Sequence, residues 1–139
     1  MGIDNIKRRL SRLPGWLFST ITLLAILWLT LAPKPLGDDA PQLFPGADKL
    51  VHGIMFGFFA GMMLFDFQRR NKWEFIIFPF CMLFGLISDI VGILIEIAQL
   101  KMDMGRGFEY ADIISDCVGS LVVSASWYPL QRFWVGNYK

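Results

Sequence analysis

The residues of this 139-residue chain that could do chemistry are a single histidine, His52, and carboxylates set at helical spacing. Asp48 and His52 stand four apart, as do Asp112 and Asp116, and Glu96 precedes Gln99 by three. Each spacing puts its pair on one face of a helix. Imidazole beside carboxylate suits acid–base catalysis or metal ligation, which makes His52 and Glu96 the candidate catalytic pair. Lys49 and Arg106 could hold a phosphate or another polar head, Arg as a fork and Lys as a point charge. Asp89, isolated in apolar sequence, is a candidate proton relay or the floor of a polar cavity.

Each of these residues also has a plainer account. His52 could bond an acid across a helix interface, and Lys49 and Arg106 could simply balance neighbouring carboxylates. Asp89 could be protonated and bonded to a backbone carbonyl, Ser88 or Ser120. No second His or Cys stands at zinc-ligand spacing from His52, so neither a metal nor another cofactor is expected. No nucleophile motif accompanies the pair, and the residues leave enzyme and binding protein as open alternatives.

The elements that must position these groups are apolar. Residues are 55% hydrophobic and 15% aromatic, and mean hydropathy is +0.49, beyond an ordinary soluble domain. A net charge of +1, with the basic residues dispersed between apolar runs, gives no nucleic-acid footprint. Cys81 and Cys117 both fall inside apolar runs and read as small core residues, not a disulfide. One domain over 1–139 is expected, with transmembrane helices at about 16–32, 49–67, 75–100 and 110–128. The basic start and first apolar run lack a small-x-small cleavage site and read as a retained helix.

The third run carries the strongest pattern. Gly85, Asp89, Gly92, Glu96 and Gln99 fall in a sector of roughly 80° at 100° per residue. An Asp at the centre of a lipid-facing helix costs about 2.5–3.5 kcal/mol on insertion scales, so this stripe should face protein or water. Pro79 is expected to kink the first half of the segment. Gly53, Gly57 and Gly61 repeat every four residues in the second run, a face for close packing in lipid. Nine of the thirteen Lys and Arg lie at the N-terminus, the second loop and the tail, which predicts both termini inside. This topology makes an all-α membrane protein with four crossings and a polar cleft at the extracytoplasmic end. It gathers Asp48, Lys49, His52, Glu96, Gln99, Arg106, Asp112 and Asp116 at one mouth, with Asp89 about 10 Å deeper.

In that order, Asp48-Lys49-x-x-His52, Glu96-x-x-Gln99, then Arg106 with Asp112-x-x-x-Asp116 and Gly119, the chain resembles the VanZ-like family over about residues 33–126. It departs from the family pattern at Asp116, where Asn is expected. The resemblance implies a small multi-pass protein of the bacterial cytoplasmic membrane. The founding member is associated with resistance to teicoplanin, a lipid-bearing glycopeptide. The expected function is binding of a polar-headed amphiphile at the outer leaflet, either a lipid-linked envelope precursor or a lipoglycopeptide, with membrane lipids as partners. The alternatives are an enzyme acting on a lipid headgroup and a small proton-coupled transporter using Asp89.

Overall fold

The computed structural model describes residues 3–32, 44–102 and 109–135. Its elements are α1 (Ile3–Leu10), α2 (Leu17–Leu31), α3 (Ala47–Arg70), α4 (Phe78–Met102) and α5 (Tyr110–Leu130), closed by a 3₁₀ turn at Gln131–Phe133. Three helices, Ala47–Arg70, Phe78–Met102 and Tyr110–Phe133, are long and apolar enough to cross a membrane. The described residues form helices and no strands, and on the ground of those three helices the chain is a membrane protein. The fourth apolar helix, α2, has only 15 residues, about 22 Å at 1.5 Å per residue.

The segment expected at 75–100 begins later and ends later. Residues 74–77 lie outside any helix and α4 starts at Phe78, which puts Pro79 in the first turn. There the missing N–H has no intrahelical acceptor to lose, so the proline starts the helix and does not kink it. Pro129 likewise lies inside α5, whose backbone runs one residue beyond it before tightening into the 3₁₀ turn.

The glycines set the packing. A Cβ on Gly119 would stand 1.8 Å from the carbonyl oxygen of Gly53, and one on Gly57 would stand 2.8 Å from that of Gly119. The backbones of α3 and α5 therefore touch, and they run parallel: Gly53 meets Ser115, Gly57 meets Gly119 and Gly61 meets Val123. α4 runs antiparallel to α5, with Gly85 against Ser124 and Gly92 against Asp116. Phe56, Leu64, Cys81, Phe84 and Ile95 fill the centre, joined by Ile26 of α2. Both cysteines are free thiols.

Two buried polar networks close the end of the bundle remote from His52. Asp66 accepts from the Ser19 backbone N–H at 2.9 Å and the Ser19 hydroxyl at 2.7 Å. It thereby caps α2, because Trp16 at the N-cap offers no side-chain bond. Arg69 pairs with Asp66 at 2.7 Å and donates to the carbonyls of Leu10, Leu13 and Pro14, which fixes the corner between α1 and α2. In the second network Gln131 brackets the Ile76 peptide, accepting its N–H at 2.8 Å and donating to its carbonyl at 2.7 Å. Gln68 joins by donating to Gln131 at 2.9 Å and accepting from the Trp134 indole at 2.8 Å.

Candidate functional site

Three helix ends converge at the opposite end. The first turns of α3 bring Asp48, Lys49 and His52, the last turns of α4 bring Glu96, and the start of α5 brings Glu109, Asp112 and Asp116. The geometry follows from α3 and α5 running parallel with α4 between them in sequence and opposed in direction. The acids at the starts of α3 and α5, Asp48 and Asp112, also stand where the helix dipoles favour negative charge.

His52 is held between two carboxylates one turn apart. Its Nδ1 lies 3.2 Å from Asp116 Oδ1, and its Nε2 lies 3.9 Å from Asp112 Oδ2. Phe56, one turn along α3, stacks beside the ring with centroids 6.4 Å apart. Asp116 is buried, 1% exposed, and its second oxygen Oδ2 has no hydrogen-bond partner among the described residues. That oxygen occupies the space where a Cβ on Gly92 would stand, 2.8 Å away. Gly92 therefore makes room for the Asp116 carboxylate.

Glu96 is equally buried, 1% exposed. Its Oε2 accepts from the backbone N–H of Glu109 at 3.3 Å, while Oε1 has no partner among the described residues. A buried polar atom left unpaired costs about 1–3 kcal/mol, and more when charged. Lys49 sits further out and is shared by three acids. Its Nζ is 2.5 Å from Asp48 Oδ2, 3.1 Å from Asp112 Oδ1, and also bonds Glu109. Lys49 donates hydrogen bonds to Asp48 and Glu109 and stands against Asp112 as an ion pair, so one ammonium serves three carboxylates.

The structure thus gathers Asp48, Lys49, His52, Glu96, Asp112 and Asp116 at one end. Gln99 is buried there too, but its Nε2 donates to the Thr30 carbonyl at 2.9 Å, tying α4 to one of the last carbonyls of α2. Arg106 lies outside the described residues. Asp89 stands apart, deeper in the bundle, where the Ser120 hydroxyl donates to its Oδ1. Ser88, beside it in sequence, donates instead to the Phe56 carbonyl at 3.0 Å. Glu109 belongs to the site as a partner of Lys49, and its position just before an apolar helix was the signal for it. Asp66 and Arg69 carried no comparable signal, since acid and base three apart at the basic end of a helix read as a solvated pair.

Below Lys49 an apolar groove of about 850 Å³ runs along the seam of α3 and α5. Ile54, Phe58, Val118 and Val122 border it, the small residues of the seam form its floor, and Trp127 lines it as well. No family model, no curated protein and no solved structure matches the chain.

Proposed function

We propose that this chain is a VanZ-like integral membrane protein, with four crossings and both termini inside. In this reading it binds a polar-headed amphiphile at the outer leaflet. The observation that carries the reading is the groove, an apolar channel facing outward from spanning helices with the charged cluster at one end. From Lys49 to Gly61 the groove edge rises about 18 Å at 1.5 Å per residue, close to the ~15 Å depth of one leaflet. An acyl chain laid there leaves its head beside Lys49, Glu109 and Asp112. Five carboxylates (Asp48, Glu96, Glu109, Asp112 and Asp116) outnumber the lysines at this end among the described residues, Lys49 within the cluster and Lys101 in the last turn of α4. A head bearing hydroxyl or amino groups complements that balance, as an amino sugar does. The resemblance points to a lipid-linked envelope precursor or a lipoglycopeptide, and through the latter to glycopeptide resistance in bacteria.

The test is fluorescence titration of purified protein in detergent with an acyl-chain dye carrying an amino-sugar head. Wild type is expected to saturate at one probe per chain. Val118→Trp with Val122→Trp, both at exposed positions of the groove, is expected to weaken binding by about tenfold or more, or ~1.4 kcal/mol. Unchanged affinity in the double variant overturns the reading.

A second reading, an enzyme acting on a lipid headgroup, is favoured by the contact between His52 and Asp116. A carboxylate on Nδ1 orients the ring and leaves Nε2 to act on a substrate.

A further inference from the structure

We propose that His52, Glu96 and Asp112 form a binding site for one divalent transition-metal cation, of which zinc is the type, with Asp116 as the residue that orients His52. Sequence spacing argues against such a site, because a second His or Cys is absent. The fold supplies oxygen donors in their place. One donor atom from each of the three residues, each on a different helix, lies within 4.8 Å of the others.

Two observations go beyond a cluster of acids. Glu96 is a member of the group, is almost completely buried, and keeps one carboxylate oxygen without a partner among the described residues. A cation is the ligand that such an oxygen lacks. The second is the His52 ring itself. A metal-ligating histidine characteristically gives its other nitrogen to a carboxylate, which sets the tautomer and the ring angle. Asp116 stands at that position, 3.2 Å from Nδ1, and Nε2 is thereby turned toward Asp112. With bonds of about 2.0–2.1 Å, ligand atoms around tetrahedral zinc are roughly 3.3 Å apart. The 3.9 Å between Nε2 and Asp112 Oδ2 needs a closure of about 0.6 Å to reach that spacing, a side-chain adjustment.

Lys49 separates this site from its neighbour. Asp48, Glu109 and Asp112 also lie close enough to hold an ion, but the Lys49 ammonium contacts all three. Asp112 faces both ways, with Oδ1 on Lys49 and Oδ2 on His52. The outer trio already holds the Lys49 ammonium at its centre, whereas only Asp112 of the inner trio touches it. One histidine nitrogen with two carboxylates suits zinc or manganese better than calcium, which takes oxygen alone. The inference does not rest on amphiphile binding, and either can fail without the other.

The experiment uses the full chain purified in dodecyl maltoside, stripped with EDTA and exchanged into chelator-free buffer. Calorimetry with Zn²⁺ is expected to give one site per chain. His52→Ala and Glu96→Gln are each expected to weaken it by about 100-fold or more, and Asp116→Asn by about 10–100-fold, the range for an outer-shell partner. Glu74→Gln, an exposed acid in the loop before α4, is expected to leave affinity unchanged. X-ray absorption at the zinc edge of wild type needs no variant, and a first shell of nitrogen and oxygen is expected. Absent stoichiometric binding, a shell containing sulfur from Cys81 or Cys117, or full affinity in His52→Ala each overturns the proposal.

Discussion

Arg69 and Asp66 are the residues on which the remote end of the bundle depends, and nothing in the sequence marked them. Arg69 is buried among backbone carbonyls, and Asp66 is its only carboxylate partner among the described residues. Removing the acid leaves a guanidinium uncompensated in an apolar setting and uncaps α2 in the same step. Breaking one side of a buried ion pair typically costs 3–5 kcal/mol. Asp66→Ala is therefore expected to lower stability by about 3–5 kcal/mol, read as an earlier midpoint in SDS or thermal unfolding followed by circular dichroism. Arg12→Ala, at an exposed position, is expected to stay within about 0.5 kcal/mol of wild type. The contrast with His52 is instructive. His52, Glu96 and Asp112 were legible because their helix ends had to meet once the crossings were counted. Asp66 was illegible because its partner is the N–H of Ser19, 47 positions away, and periodicity carries no record of such a pairing.

At the scale of elements, the glycine repeat of α3, three glycines at four-residue spacing, is where sequence and structure agree most closely. Gly53, Gly57 and Gly61 do form a contact face, and α5 answers with Gly119. The positions are not equivalent. A Cβ on Gly119 meets a backbone oxygen at 1.8 Å, which only separation of the two helices can relieve. A Cβ on Gly61 meets one methyl of Val123 at 3.3 Å, a side chain that can give by tenths of an ångström. Gly119→Ala is expected to destabilise by about 1–3 kcal/mol and Gly61→Ala by under about 1 kcal/mol, with the order read from unfolding midpoints in detergent. Reversal of the order would mean that α3 and α5 are held by something other than this approach. Helix ends were less legible than faces. The start of α4 moved to Phe78 because the Gln131 side chain engages the Ile76 peptide, a tertiary contact that overrides local apolarity. The basic N-terminal stretch lies outside the expected transmembrane helices, yet it forms α1, whose Lys7 donates to the Trp134 carbonyl.

At the scale of the whole molecule, the question is how many times the chain crosses, and α2 decides it. Its 15 residues reach about 22 Å against a hydrocarbon core of ~30 Å, short for a span. Its contacts nevertheless cover most of the bundle height. Ser19 near its start bonds Asp66 near the C-terminal end of α3, and Thr30 near its finish accepts from Gln99 near the C-terminal end of α4. In the proposed topology α2, tied at both ends to longer apolar helices, crosses with them, and a short span is accommodated by local thinning of the bilayer or by flanking residues. The proposed topology, with α2 crossing and both termini inside, then has α3 starting outside, α4 ending outside and the His52 cluster open to the outer face. If α2 instead lay at one surface, the N-terminus would change sides and the nine-to-four division of basic residues would become five against eight. Single cysteines in a chain with Cys81→Ala and Cys117→Ala distinguish these arrangements. Asp103→Cys is expected to react with an impermeant maleimide on intact cells, and Asn71→Cys only after permeabilisation. Labelling of Asn71→Cys in intact cells would invert the bundle, and the metal and headgroup chemistry would then belong to the cytoplasmic face. A third probe, Ser11→Cys, reports α2 directly: protection alongside Asn71→Cys requires the first helix to cross, because both positions must then share the inner side.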